Sequence, residues 1–170
     1  MPGIGAQDDR RFAMRLLMSV LGTSSSSRLY QRIREELGLV YEIESFSASY
    51  LEAGILGVDM ALSPRNEKKA LREVFRIIDG FAASLTQREL ARAKEQYLSG
   101  LIMNMESTQS RAAQMGRGEL LYNEVKSADE IMERVRAVTL EEVRTLAEEF
   151  LHFDHLSLSA AGRVKKRKNL

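Results

Sequence analysis

Apolar residues recur every three or four positions along most of this 170-residue chain, which predicts a mainly helical domain. The first periodic stretch begins after Asp8 and Asp9, whose carboxylates suit a helix start, and Gly22 closes it. Its predicted buried side consists of Phe12, Leu16, Leu17 and Val20. The first twenty or so residues therefore read as an amphipathic helix that packs one face against a core.

A second helix is predicted over about residues 26–37, after the polar loop 22–27 with its run of serines. Leu29, Ile33 and Leu37 lie at i, i+4 and i+8, so one face of this helix is apolar. Gly38 can adopt the left-handed backbone conformation that ends helices. The chain then enters a β-like run, so the sequence predicts a helix that passes directly into a strand.

The next two segments have the alternation of strands. Residues 56, 58, 60 and 62 are apolar and alternate with small or polar residues, as in a half-buried strand. The preceding run is less regular, because Tyr41 and Ile43 share one phase whereas Phe46, Ala48 and Tyr50 share the other. Either a bulge lies near Ser45 or both faces are partly covered. The connection at 51–54 predicts an antiparallel hairpin.

The rest of the chain is predicted to be helical until a final strand. Ser63 and Pro64 open a long helix whose apolar stripe runs to Leu85. Later helix starts are marked by capping boxes, in which Ser or Thr precedes Glu by three residues: Thr86/Glu89, Ser127/Glu130 and Thr139/Glu142. The helix that begins near Gln87 breaks at 106–108, and Leu156 and Leu158 alternate with serines in the last strand. An α+β fold, with a mainly antiparallel sheet covered on one face by helices, accounts for these elements.

Composition narrows the class of protein. The chain is 44% hydrophobic and 29% charged with a net charge of +1, which indicates one globular domain and argues against nucleic-acid or membrane partners. It has no cysteine, and no apolar run approaches the roughly 20 residues of a membrane span, so we expect a cytoplasmic protein. We place a single domain at 1–162 and a basic tail at 163–170.

Two side chains near the helix-to-strand junction could carry chemistry. Arg34 lies in the last turn of the second helix and Tyr41 on the strand that follows, so both can project toward the same side. A guanidinium and a phenol together can hydrogen-bond peptide carbonyls or stabilise developing negative charge. Spacing alone also allows a simpler interpretation, in which Arg34 is a solvated cation near the helix C-terminus and Tyr41 packs on the sheet.

The two histidines, His152 and His155, flank Asp154 and form the only candidate metal ligands of this type. A catalytic zinc site requires three protein ligands and an open position, and these residues lie at a predicted helix-to-strand turn where polar side chains are expected. The sequence therefore predicts no metal site and no complete catalytic site in this chain.

Six segments, in order, resemble one family of zinc peptidases. The first reads Ser27-Arg28-Leu29-Tyr30-Gln31, Arg34-Glu35 and Gly38-Leu39-Val40-Tyr41. The others are found at 54–57, 86–94, 106–108, 138–143 and 156–162. Together they are similar to the C-terminal half-domain of the pitrilysin/insulinase family, in its processing-peptidase branch, over about residues 8 to 162.

This resemblance implies that two halves of the parent enzyme have different roles. The family's N-terminal half binds zinc through an inverted His-x-x-Glu-His motif, whose Glu is the general base, and that motif does not occur here. The C-terminal half contributes an Arg and a Tyr seven residues apart that contact substrate, and Arg34 and Tyr41 have that separation. The resemblance thus implies that zinc belongs to the intact parent enzyme, that this chain binds none, and that it is inactive alone.

The implied partners are the N-terminal catalytic half or subunit and a peptide substrate. The resemblance also implies a strand before the first helix, where this chain has only a loop at 2–5, so we expect a sheet that lacks its first strand through truncation. An unpaired edge could then cause self-association. Two other functions stay open: a non-catalytic partner or structural subunit of the same family, and an unrelated α+β binding domain.

Overall fold

The computed structural model describes residues 1–163 and shows the α+β fold that the sequence predicts. The strands are β1 (Pro2–Gly3), β2 (Glu42–Ser49) and β3 (Gly54–Ala61). The helices are α1 (Arg11–Met18), α2 (Glu67–Asp79), α3 (Phe81–Ser84), α4 (Gln87–Met105), α5 (Thr108–Tyr122), α6 (Ala128–Ala137) and α7 (Leu140–Phe150). The chain also contains three short helical segments: π-helical turns at Ser19–Thr23 and Tyr30–Glu36, and a 3-10 turn at Pro64–Asn66. The helical run 28–36, which contains the π-helical segment Tyr30–Glu36, is called the Arg34 helix below.

The three strands form an antiparallel sheet in the order β1-β3-β2, and the predicted hairpin connects β2 to β3. Every residue of β2 faces one residue of β3, from Glu42 opposite Ala61 to Ser49 opposite Gly54. The β2–β3 pairing therefore contains no bulge at Ser45, and the second alternative, in which both faces are partly covered, applies. The irregular pattern arises because apolar residues occupy both faces: Ile43 is buried against the helices, whereas Phe46 is 40% exposed on the other face.

The open face of the sheet carries a cross-strand pair between Phe46 and Gly57. The Phe46 ring lies over Gly57, and a methyl group at position 57 would overlap it. An aromatic ring that covers a strand glycine shields the backbone that the missing side chain leaves exposed. Ile55 is 47% exposed on the same face, so this side of the sheet is partly apolar and uncovered by the described residues.

The N-terminal segment differs from the loop that the sequence predicts. Pro2 and Gly3 pair with Ile55 and Gly54 of β3, and the Leu56 N–H donates to the Met1 carbonyl. Glycines at 3 and 54 permit this approach, because a side chain at either position would meet the opposite backbone. Only two residues are paired, so β1 does not extend along the rest of β3 within residues 1–163.

The final strand predicted at Leu156 and Leu158 is wrong. Among residues 1–163 no strand forms after α7, and the Leu156 N–H donates to the carbonyl of Phe153 in a turn. Alternation gives a segment two different faces, but a strand also requires a neighbouring backbone with free donors and acceptors. The predicted basic tail at 163–170 lies, except for Arg163, outside the described residues.

The helices begin at the predicted caps, but one predicted long helix is interrupted. All three capping boxes form, with both reciprocal hydrogen bonds in each. The long helix predicted from Pro64 to Leu85 is instead split at Gly80 into α2 and α3. Glycine is a poor helix former, and the break still leaves Phe81 and Leu85 fully buried. None of the helices within residues 1–163 is long and apolar enough to cross a membrane.

Candidate functional site

The N-terminal end of the Arg34 helix is fixed by Arg28. Its guanidinium forms a bidentate salt bridge with Glu89 at the start of α4, with N–O distances of 2.6 and 2.8 Å. It also donates to the Ser84 hydroxyl and carbonyl at 2.7 and 2.8 Å and stacks on the Phe81 ring at 4.7 Å. Arg28 thus joins the Arg34 helix to α3 and α4 through planar, charge-assisted hydrogen bonds.

Glu89 belongs to this anchor and to a helix cap at once. Burial alone would raise the pKa of Glu89, but hydrogen bonds from Arg28 and Thr86 outweigh that effect and lower it from 4.5 to about 2. The Arg28 and Glu89 side chains are 19% and 28% exposed, so water screens the pair only in part. The carboxylate therefore stays ionised throughout the neutral and mildly acidic range.

A close approach holds the preceding loop against the sheet. A side chain at Gly22 would lie 2.7 Å from the Ser45 backbone nitrogen and 2.9 Å from Leu29, so only glycine fits there. The hydroxyls of Thr23 and Ser45 both donate to the Met18 carbonyl, at 3.1 and 2.9 Å. These contacts fix where the Arg34 helix begins relative to β2.

The C-terminal end of the Arg34 helix turns sharply into β2, as the sequence predicts. Gly38 has a φ of +57° in the left-handed region. Its N–H donates to the Arg34 carbonyl at 3.2 Å, and the Leu39 N–H donates to the Ile33 carbonyl at 3.0 Å. The Tyr41 N–H then bonds to the Ala61 carbonyl at 2.7 Å, so the backbone at Tyr41 is fixed to the sheet.

The two predicted site residues lie at the surface on either side of this turn. Arg34 is exposed and donates to the Tyr30 hydroxyl at 2.7 Å, with its guanidinium 4.7 Å from the Tyr30 ring centre. Tyr41 is 73% exposed. Within residues 1–163 the structure records no direct contact between Arg34 and Tyr41. It brings Arg34 to Tyr30, one turn earlier, and leaves the Tyr41 phenol in solvent.

Tyr30 is the residue of this site that the sequence analysis missed. An aromatic residue four positions before an arginine lies on the same helix face, so the spacing of Tyr30 and Arg34 could have indicated the pair. The hydroxyl uses one N–H of a group that carries five, which leaves donors of Arg34 free. Tyr30 therefore restricts the guanidinium without consuming its capacity to bind an acceptor.

The described residues do not fit a zinc ion. No group of three or more His, Asp or Glu residues within 1–163 could hold a metal. The His152 and His155 ring centres lie 6.2 Å apart, and His152 Nδ1 is 3.7 Å from an Asp154 oxygen. Two imidazoles and one exposed carboxylate on a turn do not supply the ligand shell that zinc requires.

Comparison with known proteins gives consistent results. A family profile described as "Peptidase M16 inactive domain" matches residues 1–97. A protein named an uncharacterized zinc protease from Streptomyces coelicolor is 32% identical over 99% of this chain, and one from Bacillus subtilis is 34% identical over 90%. This chain spans 37% and 38% of those two relatives. A crystal structure of a peptidase M16 inactive domain from Pseudomonas fluorescens superposes with a TM-score of 0.80 at 23% identity, covering 89% of this chain and 37% of that one.

Proposed function

Because this chain belongs to the peptidase M16 family, as the domain described as inactive, we propose that it forms the peptide-binding wall of a zinc-dependent endopeptidase. Its partner would be the zinc-binding half or subunit of the same enzyme. The observation that carries this proposal is the pair of exposed hydrogen-bond donors, Arg34 and Tyr41, on a firmly anchored helix-to-strand turn. The names of relatives as zinc proteases support the reaction class.

The chemistry assigned to this chain is recognition of a peptide. The Arg34 guanidinium would donate to a backbone carbonyl of the substrate, since it keeps free N–H groups beyond its bond to Tyr30. The Tyr41 hydroxyl would donate to a second carbonyl, or to the same oxygen when negative charge develops on it. A fixed donor of this kind typically contributes about 3 kcal/mol to the stabilisation of a transition state.

Zinc would be bound by the rest of the enzyme, because the described residues of this chain do not fit it. Its contribution when bound is to polarise the scissile carbonyl and the attacking water. This chain would exclude solvent from one side of an extended peptide and orient it through Arg34 and Tyr41. The chain by itself is therefore expected to hydrolyse no peptide.

The test uses the full-length protein with its natural zinc-binding half. Arg34→Ala and Tyr41→Phe should each lower kcat/KM for an unstructured peptide by about 100-fold, while zinc content stays at the wild-type level. Arg72→Ala, an exposed arginine on α2, is the matched control and should leave turnover unchanged. Wild-type turnover in both site variants would overturn the assignment of these residues.

The same assay separates this proposal from a non-catalytic role in the family. Full-length protein that carries zinc and cleaves peptide supports the enzyme. Protein that binds peptide without cleaving it, and loses that binding on Arg34→Ala, would instead be a partner subunit that holds substrate for another chain.

A further inference from the structure

A groove that plays no part in the proposed reaction lies between α1, α4 and α5. Its volume is about 690 Å³, within the range of about 300–1,000 Å³ that is typical of ligand sites. A second cavity of about 420 Å³ shares five lining residues with it, so the two meet there: Arg11, Phe12, Tyr122, Glu124 and Lys126. The groove combines an apolar floor with cationic side chains at its rim.

The charges around the groove are strongly unbalanced. Four cations line it, Arg11, Arg15, Arg117 and Lys126, against the single carboxylate of Glu124, although the whole chain has a net charge of only +1. A local excess of three positive charges in a concave surface raises the potential for an incoming anion.

The existing partners of these cations neutralise them only in part. The Arg11 and Lys126 side chains are only 15% and 17% exposed, whereas their carboxylate partners Asp9 and Glu124 are 98% and 55% exposed. Water therefore screens the acids more than the bases. Arg15 donates to the Tyr97 hydroxyl at 2.9 Å, which leaves its charge unpaired.

The remaining lining suits a peptide rather than a simple acyl chain. Phe12 and Ile131 supply apolar surface, and Gln96, Asn104 and Gln114 add three side-chain amides. An amide group offers a donor and an acceptor together, the same pair that a peptide backbone presents. Gln96 already donates to the Ser26 hydroxyl at 3.0 Å, so Asn104 and Gln114 are the amides left to pair with a peptide. A hydrocarbon chain offers them neither a donor nor an acceptor.

From this arrangement we infer that the groove between α1, α4 and α5 binds a short acidic peptide segment, with carboxylates at the cationic rim and aliphatic side chains on the apolar floor. The inference uses residues on helices other than the Arg34 helix. It therefore stands or falls separately from the proposed peptidase role.

The experiment titrates this protein with a blocked five-residue peptide of alternating leucine and glutamate, using calorimetry and backbone amide NMR shifts. We expect saturable binding that shifts resonances in α1, α4 and α5 and weakens as ionic strength rises. The matched peptide with glutamine in place of glutamate should bind about tenfold more weakly. Equal binding of the two peptides would overturn the role of charge, and shifts confined to other elements would overturn the location.

Variants test the rim directly. The double change Arg117→Gln with Lys126→Gln should weaken binding of the acidic peptide about tenfold, and Arg117→Gln alone about threefold. Arg117 is exposed, with no contact recorded among the described residues, so its loss should not affect folding. The control, Arg65→Gln with Lys68→Gln, removes an arginine and a lysine at exposed positions that do not line the groove. An equal loss in that control would show attraction by net charge only and refute the site.

A competing occupant is tested in the same way. Decanoate carries a carboxylate and an aliphatic chain but no backbone amides. If decanoate binds this groove and the acidic peptide does not, the peptide assignment is wrong.

Discussion

The two ends of the Arg34 helix contain the same type of side chain in opposite environments. Arg28 is 19% exposed and bonds to Glu89, Ser84 and Phe81, which come from two other helices. Arg34 is exposed and contacts only Tyr30 of its own helix among the described residues. Arg28 therefore anchors the helix to the rest of the domain, whereas Arg34 lies at the surface on that anchored helix.

This difference shows how a rigid element can support an exposed group. A surface arginine on a poorly anchored helix would lose more entropy when it binds a ligand. Here the fixed end lies six residues before the exposed end. The helix is therefore ordered by contacts that do not involve the exposed arginine. The following predictions test that separation, from the largest effect to the smallest.

Removal of the anchor should have the largest effect. We expect Arg28→Ala to lower the free energy of unfolding by about 2–4 kcal/mol, because it leaves the Glu89 carboxylate partly buried without its cation. Urea denaturation followed by circular dichroism measures this loss. Arg72→Ala on the exposed side of α2 is the control for removal of an arginine. A loss below about 0.5 kcal/mol for Arg28→Ala would contradict the anchor.

Acid should release the same anchor. The pKa of Glu89 is lowered in the folded state from 4.5 to about 2, so its contribution is complete above pH 4.5 and disappears as the pH falls toward 2. We expect about 2 kcal/mol of stability to vanish over that window, after allowance for solvent screening. The measurement compares unfolding of the wild type and Glu89→Gln at several pH values. Parallel curves for the two proteins would refute this prediction.

The turn between the two ends should be sensitive to backbone conformation alone. Gly38→Ala should cost about 1–2 kcal/mol, because φ is +57° and no neighbouring atom lies within 4 Å of the added methyl group. Gly38→Asn is the matched variant and should cost less, since asparagine adopts this conformation more readily. Thermal unfolding of both proteins ranks them, and an equal cost would contradict backbone strain as the cause.

The exposed end should matter least for stability. Arg34→Ala is expected to change the free energy of unfolding by less than about 0.5 kcal/mol, because Arg34 is exposed and its recorded partner is a half-buried tyrosine in the same helix. Tyr30→Phe removes that hydroxyl and should likewise change stability little. A cost for Arg34→Ala as large as that of Arg28→Ala would remove the contrast between the two ends.

Local sequence signals predicted the elements whose stabilising contacts are local. The capping boxes at Thr86, Ser127 and Thr139 each involve residues three apart, and all three form. Gly38 ends the Arg34 helix as expected, because its left-handed conformation is a property of one residue and its neighbours. The family assignment, confirmed by comparison, also follows from short motifs in order.

Features that depend on distant partners could not be predicted in the same way. The alternation at Leu156 and Leu158 did not reveal that no strand would pair with this segment. The contact of Arg28 with Glu89 joins residues 61 positions apart, and nothing in the spacing indicates it. The joint role of Arg34 and Tyr41 stays a prediction, since both side chains are exposed and no contact joins them within residues 1–163.

The ring of Phe46 over Gly57 gives this domain a convenient place for an optical probe. The chain contains no tryptophan, so Phe46→Trp would create a single indole at a position that already accommodates a large ring. Because that ring is partly exposed on the uncovered side of the sheet, its emission would shift when another chain approaches this surface. Binding of another polypeptide at this surface could then be followed in real time, without a dye and without altering the Arg34 helix.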